Sequence, residues 1–355
     1  LADISAVGIL DAMMGETYDY DIYPVINAQN LVIADLPAFV SENEEEMQKR
    51  YSQSAQAVYQ EIVWPSLTSI ASRTGAKMTC MMTPQFTYTD EEEPDGENVT
   101  YYLKRLKEEH AEAGLSADSR EGILLSEKIK QDQTFWQTYA PSYRFLSLYA
   151  DGVKSIGEES ALPAEIRTVA LGSGASGQAV GYLNENVTLQ PSTSSGIRHT
   201  FLDDFKVKCM ETALGYSNIT PDLYSVTYPE GDDDSWEKMS KKIAANLGTY
   251  WKAYEAFDAT TLTESDVRIR RFLALDYKQQ RAGNVITLSL EHREDAAWFL
   301  LRLHGEKVTE VAGGSFEEIE DGVYLILAEE DEVSVEVQTG EEWQYQDGGK
   351  CGDGT

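Results

Sequence analysis

Residues 30–88 constrain the fold more than any other stretch of the chain. Leu31, Val32, Ile33 and Ala34 form a short apolar run that stops at Asp35 and is punctuated by Leu36 and Pro37. A helical pattern follows over 44–74, closed by Gly75, and residues 77–82 then run into Thr83, Pro84 and Gln85. A short apolar run, a long helical segment and a second apolar run is the pattern of two strands joined by a helix. Parallel strands need such a crossover, because a tight hairpin joins only antiparallel ones. The stretch therefore sets the class of its domain as α/β.

Further units repeat the alternation. Helical pattern covers 98–113 and 126–139, strands are expected over 143–150, 167–171 and 186–190, and a helix over 202–213. A strand over 223–229, a helix over 236–254 and a strand over 257–262 complete the series. The last long helix opens with Thr263 as its cap and Asp266 three residues on, a variant of the capping box. Strand and helix alternating seven times in order point to a closed (β/α)7-type barrel over 30–282 rather than an open sheet. The Gly/Ser loop at 172–177 lacks the Lys-Ser or Lys-Thr ending of a phosphate cradle and reads as a tight turn. No GxGxxG follows the first strand, which argues against dinucleotide binding.

From 283 the pattern changes to short alternating strands separated by Gly, Asp and Glu turns. That is the signature of a small antiparallel β-sandwich-like domain, here over 283–338. Residues 1–29 form a lead-in segment, with a short apolar helix over 6–14 and a strand or edge piece over 18–24. Residues 339–355 read as a polar, Gly-rich, flexible tail.

Charge narrows the partners. Against 29 Lys and Arg stand 61 Asp and Glu, a formal net charge of −32. Such a field repels nucleic acid and anionic membranes, so no nucleic-acid partner is expected. The three cysteines, Cys80, Cys209 and Cys351, form no cluster of zinc-site spacing. No run of apolar residues is long enough for a transmembrane helix. The chain opens on Leu1 rather than Met, so a signal peptide or membrane anchor has a place only outside this fragment.

In a barrel, function gathers just past the carboxyl ends of the strands. Asp35, Gln85, Asp151, Ser194, His199, Asp203 and Glu264 are the polar residues expected there. A carboxylate that ends an apolar strand must be hydrated, paired or metal-bound. Asp35 therefore either holds a cation or activates water, or it anchors the Leu-Pro loop that follows. His199 and Asp203 lie one helical turn apart and could face one ion or one substrate hydroxyl, although Asp203 also suits a plain first-turn acid. Asp35 with Glu264 would make the paired carboxylates of a glycosidase. Tyr149, Tyr224 and Tyr228, with Tyr88 and Trp251, offer aromatic faces to sugar rings, and Gln85 and Asp151 are expected to contact substrate beside them.

Val32-Ile33-Ala34-Asp35, the run 77–86 and His199-Thr200-Phe201-Leu202-Asp203 together resemble a bacterial exopolysaccharide-associated family related to NodB-type polysaccharide deacetylases. The seven-unit barrel with an appended β domain carries the same resemblance, which covers 30–280 as fold. It implies an exported enzyme, extracellular or at the cell surface, that removes N- or O-acetyl groups from a polysaccharide. It also implies a divalent metal such as zinc, held in the family by one Asp and two His. Asp35 would stand for the aspartate of the first motif, where the family shows two adjacent aspartates and this chain has Ala34-Asp35. His199 would stand for the first histidine of the HxxxH motif, with Asp203 in place of the second. The implied metal set is thus Asp35, His199 and Asp203, and zinc accepts carboxylate as well as imidazole. No RxPxG motif is present, and the only Leu-His pairing of the closing kind, Leu303-His304, lies in the β domain. Three readings stay open: a polysaccharide deacetylase-like hydrolase, a glycoside hydrolase with paired carboxylates, and a noncatalytic carbohydrate-binding or exopolysaccharide-assembly module.

Overall fold

The computed structural model describes residues 5–36, 39–89, 93–120, 123–152, 156, 162–172 and 178–339. Residues 173–177 of the Gly/Ser loop and 340–355 of the tail lie outside them. The chain divides into two units, Leu1–Met14 with Pro24–Ala274, and Gly15–Tyr23 with Leu275–Thr355. Among the described residues no helix is long and apolar enough to cross a membrane.

Strand β1 (Tyr20–Val25) belongs mainly to the second unit, and the sheet of the first unit starts with β2 (Ala28–Leu36). β3 (Met78–Met82), β4 (Glu112–Ser116), β5 (Ser147–Ala150) and β6 (Thr168–Leu171) follow side by side, all parallel. The two-residue β7 (Gly181–Tyr182) runs antiparallel to β8 (Thr188–Pro191), which is itself parallel to β6. β9 (Tyr216–Ile219) then pairs with β2 on the side away from β3. Thr193 N donates to Asn218 O at 2.8 Å and Thr220 N to Ser194 O at 2.9 Å, joining the end of β8 to β9. The sheet thus curls until its ends meet.

Successive side chains of a strand face opposite ways. Leu31 and Ile33 of β2 enter the core shared with the helices, whereas Val32 and Ala34 join Met81, Tyr149, Ala170 and Leu262 in an inner cluster. Asp35 follows Ala34 and by simple alternation would point outward with Ile33. A φ of 50° at Asp35 and a register shift between Ile33 and Leu36 break the alternation, as a bulge does. Asp35 turns inward as a result.

A polar layer fills the other end of the curled sheet. Asn30 Nδ2 donates to Gln190 Oε1 and Ser265 Oγ, each at 3.2 Å, and Thr188 Oγ1 donates to Asp266 Oδ1 at 2.5 Å. Gln190 Nε2 donates to Leu262 O at 2.9 Å. The helix Leu262–Ala274, led in by β10 (Ala259–Thr260), therefore lays its first turns across the amino ends of the strands. Its capping residue is Thr261 rather than Thr263. Thr261 N donates to Glu264 Oε2 at 2.9 Å, and Glu264 N to Thr261 Oγ1 at 3.4 Å. Asp266, expected in the cap, is buried against Thr188 and Arg270 instead.

Other elements depart from the expectations. β4 lies where helix was expected as far as 113, and the helix Glu97–Glu108 stops short of it. β9 was not expected, while residues 223–229, expected as a strand, contain the helical turn Tyr224–Thr227. The long helix over 44–74 is broken after Glu44–Tyr51 by Ser52 at φ 55°, and resumes through a π-helical stretch, Val58–Val63, into Trp64–Thr74.

The second unit consists of two four-stranded sheets. One has the order β1, β13 (Ala297–Leu303), β16 (Val323–Ala328), β15 (Gly314–Glu320). The other runs β11 (Asp276–Ala282), β12 (Val285–Glu291), β17 (Glu332–Thr339), β14 (Glu306–Ala312). Ile286 and Leu288 of β12 and Val333 and Val335 of β17 share one core with Phe299 of β13 and Ile326 of β16. Ile22 of β1 completes it. The unit resumes at Leu275 and takes in Gly15–Tyr23, where the sequence reading begins the β domain at 283 and leaves 1–29 as a lead-in.

Two stability measurements follow from the first unit. A side chain at Gly114 of β4 would run into Met81 Sδ and Ser147 Oγ on the flanking strands. Gly114→Val should cost about 1–3 kcal/mol, seen as a lowered Tm, and Met81→Ala in the same chain should restore part of it. Glu211 is fully buried, accepts Gln29 Nε2 at 3.2 Å through Oε1, and has no partner at Oε2. Burial pushes its carboxyl up to about 8, against the pull of Ser217 and Gln29. A carboxyl raised on folding favours the folded state below its unfolded pKa of about 4.3. That contribution is lost as pH rises through 8. Glu211→Gln should therefore gain on the wild type by at least ~2 kcal/mol between pH 5 and pH 8.5 in denaturant titrations.

Candidate functional site at the carboxyl ends of the strands

The inward turn of Asp35 makes it the centre of a buried polar site. Its side chain is 1 % exposed, and Oδ1 accepts Thr83 Oγ1 at 2.9 Å and Ser116 Oγ at 2.6 Å. Both donors stand at the ends of neighbouring strands, Thr83 just past β3 and Ser116 closing β4. Oδ2 is buried without a hydrogen-bond partner. Burial pushes the Asp35 carboxyl up, while the two hydroxyls, the Lys128 charge and a hydrogen bond with the Asp118 carboxyl pull the other way.

Two more acids join it from the ends of β4 and β9. Asp118 accepts Asp151 N at 3.4 Å, and burial together with the charges of Asp35 and Asp222 pushes its carboxyl up to about 9. Asp222 stands beside the bulge, because Leu223 N donates to Ala34 O at 3.1 Å and Ala34 N to Pro221 O at 2.9 Å. Its own Oδ1 accepts Tyr224 N at 2.7 Å, and burial followed by the Asp35 charge raises it to about 7. Asp151, at the end of β5, is exposed. The Tyr149 hydroxyl is raised by burial and by the same acids, Asp222 foremost. A methyl group at Gly172 would lie 2.7 Å from that hydroxyl and 2.8 Å from Asp151 Oδ1. Gly172 keeps this side of the mouth open.

A buried ion pair supports the cluster from below. Lys128 is fully buried, and its Nζ donates to Asp132 Oδ2 at 2.7 Å and to Ser116 O at 2.8 Å. The second oxygen of Asp132 accepts the Tyr88 hydroxyl at 2.6 Å, and Lys128 Nζ lies 5.4 Å from the centre of the Tyr88 ring. Lys128 and Asp132 are four apart on the helix Leu125–Tyr139, on the stripe that continues to the buried Trp136. Glu42 fixes the loop after β3 by accepting Phe86 N at 3.0 Å and Thr87 N at 2.8 Å. Phe86 in turn packs edge-on against Tyr224, 5.0 Å between ring centres, and Arg120 lies 4.1 Å over Tyr228.

A groove of about 920 Å³ flanks this network. Tyr88, Phe135 and Tyr139 give it aromatic surface, and Gln85, Lys130 and Gln131 supply polar groups. Of the expected substrate contacts, Gln85 lines this groove, whereas Tyr149 and Asp151 stand at the acid cluster and Tyr224 and Tyr228 in the aromatic wall.

Other expected site residues go elsewhere. Glu264 pairs with Lys77, Nζ to Oε2 at 2.9 Å, just before β3 begins, whereas Asp35 is bonded to Thr83, just after β3 ends. A strand of this length separates them by roughly 17–20 Å at about 3.3 Å per residue. The two cannot act on one bond, and the Asp35–Glu264 pair is ruled out. His199 is exposed, with Nδ1 3.1 Å from Asn246 Oδ1 and its ring 5.7 Å from that of Tyr250. Asp203 accepts Thr200 Oγ1 at 2.7 Å in the capping box of the helix Phe201–Leu214. His199 and Asp203 thus turn to different partners, and neither shares one with Asp35. Among the described residues no three His, Cys, Asp or Glu side chains are spaced to hold a metal ion. The set Asp35, His199 and Asp203 does not fit zinc.

The sequence reading passed over Ser116, Asp118, Lys128, Asp132 and Asp222. Asp118 and Asp222 lie just past β4 and β9, the two unexpected strands, so the rule that found Asp35 had nothing to act on. For Lys128 and Asp132 the available signal was an oppositely charged pair on the apolar stripe of a helix.

No family model matches the chain, and no curated protein does. Among solved structures, a candidate polysaccharide deacetylase from Mycobacterium smegmatis is similar over 69% of this chain and 90% of its own, at 9% identity and a TM-score of 0.42. A candidate glycoside hydrolase/deacetylase from Parabacteroides distasonis is similar over 79% and 82%, at 10% identity and a TM-score of 0.40. The peptidoglycan deacetylase PdaC from Bacillus subtilis is similar over 71% and 94%, at 11% identity and a TM-score of 0.34. Likenesses this distant assign no residue of the chain, and the chemistry of the site rests on its own geometry.

Proposed function

We propose that the chain is a carbohydrate-active hydrolase of the acid–base type, working on an extracellular or cell-surface glycan. The observation that carries the reading is the trio Asp35, Asp118 and Asp222 at the open ends of the strands, one fully and two partly buried, in which burial raises all three carboxyls and the Asp35 charge raises the other two. Hydrolysis of a glycosidic bond needs one carboxyl that still holds its proton and one that has lost it. Neighbouring environments that push two acids apart supply that division. Asp118, raised to about 9, holds its proton at neutral pH and donates it to the leaving oxygen. Asp222, raised to about 7, is the acid that ionises first and takes a proton from water or faces the sugar carbon directly. Asp35, clamped by Thr83 and Ser116, raises both through its charge. The aromatic groups Tyr88, Phe135 and Tyr139 and the amides Gln85 and Gln131 suit the faces and hydroxyls of a sugar chain.

The reading favours glycoside cleavage over metal-dependent deacetylation, because the implied metal donors do not assemble whereas the acids do. The test is the release of reducing ends and of acetate from a panel of acetylated and unacetylated oligosaccharides. New reducing ends are expected, with kcat/KM on a plateau between about pH 7 and 9, falling on the acid side as Asp222 is protonated and on the alkaline side as Asp118 ionises. Asp118→Asn and Asp222→Asn should each lower kcat by roughly 10²–10⁴-fold while circular dichroism stays unchanged. Acetate without new reducing ends, or full activity in both variants, would sink the reading.

A further inference from the structure

Asp118 and Asp222 stand on segments that are not neighbours in the sheet. Asp118 follows β4 and Asp222 follows β9, and β3 and β2 lie between those strands. At about 4.8 Å per strand the two segments leave the sheet roughly 12–15 Å apart. Acids at that spacing act on one another weakly. The Asp222 charge nonetheless raises Asp118, so the segments lean together at the rim. The segment after β9 is fixed on its own, because the Tyr59 hydroxyl donates to Leu223 O at 3.1 Å and shares a hydrogen bond with Thr227 Oγ1 at 3.0 Å. The segment after β4 is pinned at its start, where Asp118 N donates to Ser116 Oγ at 3.1 Å. Two residues on, it reaches across to the β9 segment. Arg120 N donates to Phe86 O at 2.9 Å, and the Arg120 guanidinium lies 4.1 Å from the centre of the Tyr228 ring. Phe86, in the loop past β3, fills the space between, its ring 5.0 Å from that of Tyr224 and 6.0 Å from that of Tyr228. A guanidinium over an aromatic face is attracted to it, and its planar fork keeps one orientation better than an ammonium does.

We propose that Arg120 is a positioning residue, a clasp that closes on Tyr228 and sets the spacing between Asp118 and Asp222. The use of that spacing rests on the hydrolase reading, whereas the clasp is tested without substrate. The test is the titration of the two side-chain carboxyls by carbon-detected NMR in the wild-type chain, Arg120→Gln, Tyr228→Leu and Tyr228→Phe. Asp35, Asp151 and Tyr149 face both acids, Lys128 reaches Asp35, and Glu42 faces the two tyrosines. None of these is altered in the variants. The sign of the shift separates a clasp from a nearby charge. A cation beside a carboxyl favours its ionised form, so losing Arg120 merely as a charge raises both acids. Parting the segments instead lets water in, weakens the like-charge contact and lowers both. Arg120→Gln and Tyr228→Leu should each lower both carboxyls by about one pH unit or more. The double variant should shift them no further than the larger single change, since both remove one contact. Tyr228→Phe keeps the ring and should leave them as they are. Arg120 is exposed, so its replacement leaves the core intact. Unchanged or raised carboxyls in Arg120→Gln, or a full shift in Tyr228→Phe, overturn the proposal. Reducing-end release is read separately, and in Arg120→Gln the alkaline limb of kcat/KM should move down with Asp118. Lowered carboxyls with no cleavage of any glycan remove the hydrolase reading alone, while cleavage with unshifted carboxyls removes this inference alone.

Discussion

A carboxyl group with almost no exposed surface has to be held by something, and at Asp35 it is held by the geometry of the strands on either side. Alternation along β2 would have sent this side chain into the apolar layer under the helices, beside Ile33. The positive φ at Asp35 prevents that, and aspartate is among the few residues that adopt such a backbone without a large penalty. What β3 and β4 must then provide is fixed: inward-facing hydroxyls at their ends, which are Thr83 and Ser116. Ser116 in turn has a carbonyl to satisfy, which Lys128 takes, and Lys128 requires Asp132. Breaking one member of such a buried chain leaves a charge or a donor stranded, at a cost of roughly 3–5 kcal/mol for a buried ion pair. The parts of the mouth are mutually obligatory.

The parts legible in the sequence are those in which local pattern and tertiary role agree. β2 and β3 are apolar runs with turn signals at both ends, and Asp35 stands out because it ends one of them. The helix Phe201–Leu214 was legible from Asp203 and Asp204 in its first turn. β4 was hidden because Glu112-Ala113-Gly114 is a poor strand sequence, and Gly114 is there for want of space between Met81 and Ser147 rather than for any strand preference. β9 was hidden for a related reason. Ser217 and Asn218 look like loop residues, yet both are fully buried, and Asn218 donates to Gln190 O at 3.1 Å inside the curled sheet. Tyr224 to Tyr228, which alternate like a strand, owe that spacing to an aromatic wall around Phe86 and Arg120. His199 and Glu264 drew attention by residue type and spacing, and both turn out to serve local needs, one beside Asn246 and Tyr250 and the other as a helix cap bonded to Lys77.

The two ends of the curled sheet divide labour by how their polar groups are satisfied. At the amino end Asn30, Gln190, Thr188 and Asp266 find partners in one another and in the helix Leu262–Ala274. Most polar groups there are satisfied internally, although Glu211 beside Gln29 keeps Oε2 without a partner. At the carboxyl end Asp35 takes the hydroxyls of Thr83 and Ser116 on one oxygen and shares a hydrogen bond with the Asp118 carboxyl. Polar groups satisfied internally stabilise, whereas one left unsatisfied costs stability.

The second unit carries a consequence for the order in which the chain takes shape. Its edge strand β1 lies near the start of the sequence, and its neighbour β13 lies beyond the whole first unit. During synthesis at about 5–20 residues per second, β1 emerges and waits roughly ten seconds to a minute before its partner exists. In that interval Tyr20, Ile22 and their strand are an unpaired edge, the kind of segment that recruits the wrong neighbours. Asp19 and Asp21, which flank Tyr20 on the chain, put negative charge on that waiting strand, as gatekeeper residues do beside an exposed edge.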